Sequence, residues 1–247
     1  MSAISLTVDV LRSFREEDRP ASAQNPPGTP GVHGPTPPPD PIGPPIALPT
    51  PAAPRSGVLA EVLRQRRAIR YFRPEPVDLA TLLGAVTEGL AADRSRWPGE
   101  HPLVPVVVAQ NVTGLPPAVY RLDGDTASPV MALSGPAAYE ELTLQKEFAT
   151  AGAIVSLLGD LEAAGHAHGG AGFRTLMTRA GAAGYQMWLA AIAHGLVGSV
   201  FAGFLPAAIR TPLRCDGVTR HQLFALAVGH PGVDLPTSAG AGPADET

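Results

Sequence analysis

The sequence predicts a single domain of mixed helices and strands behind a long proline-rich lead, on three observations. Half of the 28 prolines fall between Pro20 and Pro54, and the texture changes at Gly57. Helix-spaced apolar residues then alternate with short β-branched runs, and the longest helical pattern runs from Gly172 to Leu196. Apolar residues make up 45% of the 247 and charged residues only 16%, which leaves roughly 190 residues after the lead to close one sizeable core.

The first 57 residues are expected to be a solvated extension, because closely spaced prolines forbid a helix ladder and the residues between them offer little to bury. Ahead of the prolines, Ile4 to Glu17 suits either a short strand or a short amphipathic helix. From Gly57, the spacing of Val58, Leu59, Val62, Leu63 and Ile69 predicts a helix that breaks up around Arg70 and Pro74. A second helix starts at the candidate N-cap Asp78, with Leu79, Leu82, Leu83, Val86 and Leu90 as its apolar face. Val104 to Ala109 and Ala118 to Leu122 read as two strands joined by the turn at 111–117, with a second turn at Asp123-Gly124-Asp125. Ala138 to Phe148 reads as a helix and Ala153 to Leu158 as a buried strand. In the long helix, the run Ala180-Gly181-Ala182-Ala183-Gly184 suggests close packing, since Gly costs about 1 kcal/mol of helix propensity against Ala. Val197 to Phe201 and Gln222 to Val228 complete the strands, and residues 236–247 form a flexible tail.

Several chemistries are excluded or disfavoured. No uninterrupted apolar run approaches the roughly 20 residues of a bilayer span, and no basic n-region or cleavage site marks a secretory signal, so a cytoplasmic location is expected. A net charge of −4 gives no basis for wholesale phosphate neutralisation, so no nucleic-acid partner is expected. One cysteine, Cys215, permits neither an internal disulfide nor a cysteine-rich zinc cluster. Lys146, the only lysine, lies in Gln145-Lys146-Glu147 and removes the P-loop. No Gly-x-Ser-x-Gly elbow exists, and Gly170-Ala171-Gly172 lacks the strand and third glycine of a dinucleotide fingerprint. His166-Ala167-His168 reads as a glycine-flanked mobile loop and no metal site is assigned; His194 reads as a helix cap.

The cluster Arg66-Arg67-Ala68-Ile69-Arg70-Tyr71-Phe72 places three guanidiniums within five residues at a helix end, which suits a phosphate and planar acceptor groups; a solvated basic face is the plainer alternative. With the Pro-Val turn and helix that follow, this stretch resembles the opening of the nitroreductase-like flavin oxidoreductases. The hairpin from Asn111 to Asp123 is similar to the Gly-Leu-Pro-Pro-Gly-Val-Tyr-Arg-Tyr-Asp hairpin of the SagB-type branch, the azoline dehydrogenases of ribosomal peptide pathways. Ala180 to Gln186, His194-Gly195-Leu196, Ala202-Gly203-Phe204 and Leu226 to Pro231 continue the resemblance over residues 58–232, within a domain set at 58–235.

The resemblance implies an α+β fold with a central mixed or antiparallel sheet flanked by helices, a dimer formed through the long helix, and FMN at the subunit interface. Arg66, Arg67, Ala68 and Arg70 would meet the FMN phosphate, ribityl chain and pyrimidine edge, and Ala202, Gly203 and Phe204 the isoalloxazine. It assigns no catalytic side chain. Ala68 stands for the family's Ser, Arg179 for a Glu, and 94–102 for a Pro-Ser-Ala-Gly-like segment; no Lys or Arg follows Pro231, and the Lys-Tyr pair associated with azoline chemistry is absent. The implied function is an FMN oxidoreductase acting on azoline rings in a peptide. The alternatives are a general nitro or quinone reductase acting on small molecules, and a flavin-poor subunit that pairs with an active paralogue in a biosynthetic complex.

Overall fold

The computed structural model describes residues 36–55, 59–143 and 145–232; the expectations for Ile4 to Glu17 and for the tail at 236–247 lie outside these. Its elements in chain order are β1 (Ile46–Ala47), α1 (Leu59–Gln65), β2 (Phe72–Arg73), α2 (Leu79–Arg96), β3 (Val104–Ala109), β4 (Ala118–Asp123), β5 (Thr126–Ala132), α3 (Pro136–Glu140), β6 (Ala153–Gly159), α4 (Leu161–His168), α5 (Gly172–Ala193), β7 (Val197–Phe201), α6 (Pro206–Ile209) and β8 (His221–Pro231), with a 3-10 turn at Lys146–Thr150. The sheet runs β1-β5-β4-β3-β6-β8-β2, and β7 also pairs with β8. Its ladders are antiparallel.

Side-chain alternation divides the core into two layers. Val107, Tyr120, Val155, Leu157 and Leu226 point to the face covered by α2 and α5, where Leu82, Val86, Met187 and Trp188 meet them. Val106, Val108, Val119, Ile154 and Leu158 point to the other face, closed by Leu142, Phe148, Phe204 and Leu213 from short helices and loops. β6 is buried along its whole length because both faces are covered, which accounts for a sequence that is apolar apart from Ser156, whose hydroxyl donates to Phe224 O at 3.3 Å. Asp78 caps α2 as its position suggests, its carboxylate accepting the Thr81 N–H at 2.8 Å.

The close helix approach falls at the small-residue run, as its composition implies, but the glycine that permits it is on the partner helix. A Cβ at Gly89 of α2 would stand 2.4 Å from Met187 Cγ and 2.6 Å from Ala183 O, so Gly89 lets α2 and α5 meet. Within the run itself, Gly184 makes room for the Phe224 ring, while Gly181 faces open space. The helix expected at 138–148 is split into α3 and the 3-10 turn. Strand β5 gave no clear periodic signal, since it carries Pro129 and pairs through a bulge at Val119/Tyr120. The glycine-flanked histidines are not a loop: they end α4, with His168 Nε2 2.9 Å from Glu100 Oε1.

The largest correction concerns the proline-rich lead, expected to be solvated as far as residue 57. Residues 36–55 lie on the domain as a strap. Its sparse N–H groups are used, Ile42 donating to Pro129 O (2.8 Å), Leu48 to Asp125 O (2.7 Å) and Ala52 to Ala80 O (2.8 Å), and β1 pairs with β5. The strap thereby covers the outer edge of β5, and prolines suit that position because they give up little chain entropy on ordering.

Candidate functional site

The arginine cluster follows α1 directly. The Arg66 N–H closes the helix on Val62 O at 3.0 Å, after which the chain extends: Ala68 bridges Gly198 in parallel, the Ile69 N–H donates to Gly198 O at 3.0 Å, and β2 pairs with the end of β8. The Arg66 guanidinium lies 5.1 Å from the centroid of the buried Trp188 ring on α5. Arg67, Ala68 and Arg70 are exposed, and among the described residues no carboxylate pairs with Arg66, Arg67 or Arg70.

Ala202-Gly203-Phe204 lies at the opposite end of β7. Gly203 has φ +121°, a conformation L side chains rarely adopt, and a Cβ there would run into the Gln222 carboxamide. Gln222 Nε2 donates to Ala202 O at 3.0 Å while Phe204 is buried in the lower core layer. Among the described residues the N–H groups of Gly203 and Phe204 have no hydrogen-bond partner. The two predicted site segments therefore sit at the two ends of one strand, on the order of 13 Å apart along it by strand rise. Between them, β7 from Ser199 to Phe201 has β8 on one side and no ladder partner on the other among the described residues. Strand β7 thus has, among the described residues, three cations without a carboxylate partner beside one end and two N–H groups without a partner at the other, donors suited to an anionic group and a hydrogen-bond acceptor respectively.

A cavity of about 310 Å³ opens beside β2, with Arg73, Gln110, Asn111, Tyr139 and Gly152 in its wall. Gln110 Oε1 is buried there without a partner, and burial raises the pKa of the Tyr139 phenol.

Three contributors escaped sequence reading: Trp188 beneath Arg66, Gly198 beside Ala68 and Gln222 behind Gly203. Trp188 and Arg66 are far apart in sequence, and a tryptophan on an apolar helical stripe gives no signal beyond core. Arg179, noted as a departure, is buried against Asp93 through two hydrogen bonds of 3.0 and 2.8 Å, donates to His101 O at 3.0 Å and lies 3.6 Å from Glu100. Its partners belong to α2 and to the altered stretch at 94–102, so two of the departures are one rebuilt ion network.

A family model described as "Nitroreductase family" matches residues 63–230. The chain belongs to the nitroreductase family. Similar solved structures include a designated nitroreductase from Anabaena variabilis (19% identity, 70% of this chain and 38% of that one, TM-score 0.60). Another is its counterpart from Ralstonia eutropha (17%, 82% of this chain and 97% of that one, TM-score 0.58). A nitroreductase family protein from Streptococcus pneumoniae also matches (16%, 75% and 96%, TM-score 0.50). This chain thus spans well under half of the Anabaena protein and nearly all of the other two. At these identities the likeness is one of fold, an antiparallel sheet flanked by helices. Comparison with curated proteins yields no significant match. No helix among the described residues is long and apolar enough to cross a membrane.

Proposed function

We propose that this nitroreductase family member is an FMN-dependent oxidoreductase. The carrying observation is the donor set at the two ends of β7, arginines without a carboxylate partner among the described residues at one end and the partnerless N–H groups of the glycine turn at the other. The donor set fits the cofactor chemically: Arg66, Arg67 and Arg70 would hold the phosphate and ribityl oxygens, and the backbone of Ala202 to Phe204 would meet the ring. Bound FMN would supply hydride acceptance and release. Trp188 holds the Arg66 guanidinium in place, Gln222 fixes the carbonyl of Ala202, and the buried Phe204 ring anchors the turn. No side chain is assigned to proton transfer.

The substrate reading is an azoline ring in a peptide, and its support is the sequence resemblance of Asn111 to Asp123, residues that form the turn after β3 and strand β4. The dimer is proposed through the outer face of α5, where Phe173 and Tyr185 are exposed and Gly181 would admit a close neighbour. Absorption of the purified protein in the flavin bands tests the cofactor, and turnover of thiazoline peptides against small quinones and nitroaromatics tests the substrate. Stoichiometric flavin with no activity on either class would remove the catalytic reading. A second reading, a flavin-poor subunit paired with a paralogue, is favoured by one observation, the lack of any Lys or Arg after Pro231. Colourless protein that takes up no added FMN would select it.

A further inference from the structure

Residues 36–40 are held by the domain as a peptide ligand would be. Arg220 donates to Thr36 O at 3.0 Å and to Pro37 O at 2.9 Å, Arg214 to Pro38 O at 3.0 Å, and Arg121 to Pro39 O at 3.0 Å. Four successive carbonyls thus meet three guanidiniums. The ends are marked by side chains: the Thr36 hydroxyl bonds with Asp216 and Thr219, and the Asp40 carboxylate pairs with Arg214. Pro39 is buried between them. A proline run has no N–H groups and leaves its carbonyls without internal partners, so charged donors are suited to reading it.

The clamp is also fixed from behind. Arg121 Nε pairs with Asp123 at 2.6 Å, Arg220 Nη1 donates to Leu213 O at 3.2 Å, and Asp216 accepts the N–H groups of Val218 and Arg220 at 2.8 and 2.9 Å. Arg121 and Arg220, held in this way, need little ordering when a peptide arrives.

We infer that Arg121, Arg214 and Arg220 form a recognition site for extended proline-rich peptides bearing a hydroxyl residue, three prolines and a carboxylate in that order, and that residues 36–40 are its resident ligand. This goes beyond the flavin reading and does not depend on it. When the resident segment leaves, the site accepts a matching segment from a separate chain.

The test uses the full chain with its own ligand disabled by P37G, P38G, P39G and D40S together. A fluorescein-labelled peptide of residues 34–43 is expected to bind it saturably by anisotropy. R214A or R220A in the same background should each weaken binding by about tenfold or more, and a peptide with glycine for the three prolines should not bind. A flat titration up to about 1 mM, the order of effective concentration a tethered segment supplies, overturns the inference if the variant still melts cooperatively. If it does not melt cooperatively, the unaltered chain is exposed to excess peptide and hydrogen exchange is followed at Ile42 and Leu48. Faster exchange with the proline peptide alone supports the site, and unchanged exchange overturns it.

Discussion

Arg66 and Arg179 show how differently one residue type is used. Arg66 stacks on a buried indole with its charge still unpaired among the described residues. Charge-assisted contacts are worth about 1.5–3 kcal/mol each, so Arg66→Ala should weaken FMN binding roughly ten- to a hundredfold, measured by fluorescence titration of apoprotein. Unchanged affinity in a folded variant would make Arg66 a surface residue. Arg179 is the opposite case, with both it and Asp93 about 2% exposed. Breaking such a pair from one side leaves a buried charge and costs about 3–5 kcal/mol, whereas apolar replacement of both partners is often nearly neutral. Arg179→Met should therefore lower Tm by roughly 10 °C for a domain of this size, and adding Asp93→Leu should restore most of it. A double variant no more stable than the single one would show that Glu100 and His101, not Asp93, set the cost.

At the scale of elements, the strap is where proline changes role. The same rings that forbid a helix leave carbonyls for arginines and seal the edge of β5. Deleting residues 1–55 should produce a clear drop in Tm, because it uncovers that edge and removes the partners of Arg121, Arg214 and Arg220; equal Tm for the truncated and full chains would count against a packed strap. Asp216 adds a pH dependence. Burial works against its charge, but hydrogen bonds from the Thr219 and Thr36 hydroxyls and from the N–H groups of Arg220 and Val218 outweigh it and hold the carboxylate well below its usual range. A depressed folded pKa stabilises above the unfolded value of about 3.9 and is lost as pH falls towards the folded one. The Tm gap between wild type and Asp216→Asn should accordingly be full at pH 7 and close progressively below about pH 4.

For the whole molecule, the exposed face of α5 is the surface through which a dimer is proposed. Phe173 is 50% and Tyr185 38% exposed, with Gly181 open between them. On α1, Leu59 and Leu63 also keep 60% and 42% exposure although their spacing marks an apolar face. If this surface pairs with a second copy, Ala182→Glu should place like charges across the contact and yield a monomer in sedimentation velocity, with flavin lost alongside if FMN sits between subunits. A dimer unaffected by that change would place the contact elsewhere.

Local chemistry was legible in the sequence. The fold class came with the family resemblance, while the cap at Asp78, the apolar stripe of α5 and the short apolar runs of β3 and β6 follow from patterns within one element, where neighbours in sequence are neighbours in space. The arginine cluster was legible for the same reason, since three guanidiniums in five residues need no fold to be close. Only the tertiary structure could decide what depends on distant partners: Trp188 beneath Arg66, Gly89 rather than Gly181 at the helix crossing, and Arg179 with Asp93. The strap is the clearest instance. Nothing in a proline run reports that three arginines from 82 to 184 positions away will supply the hydrogen-bond donors it lacks.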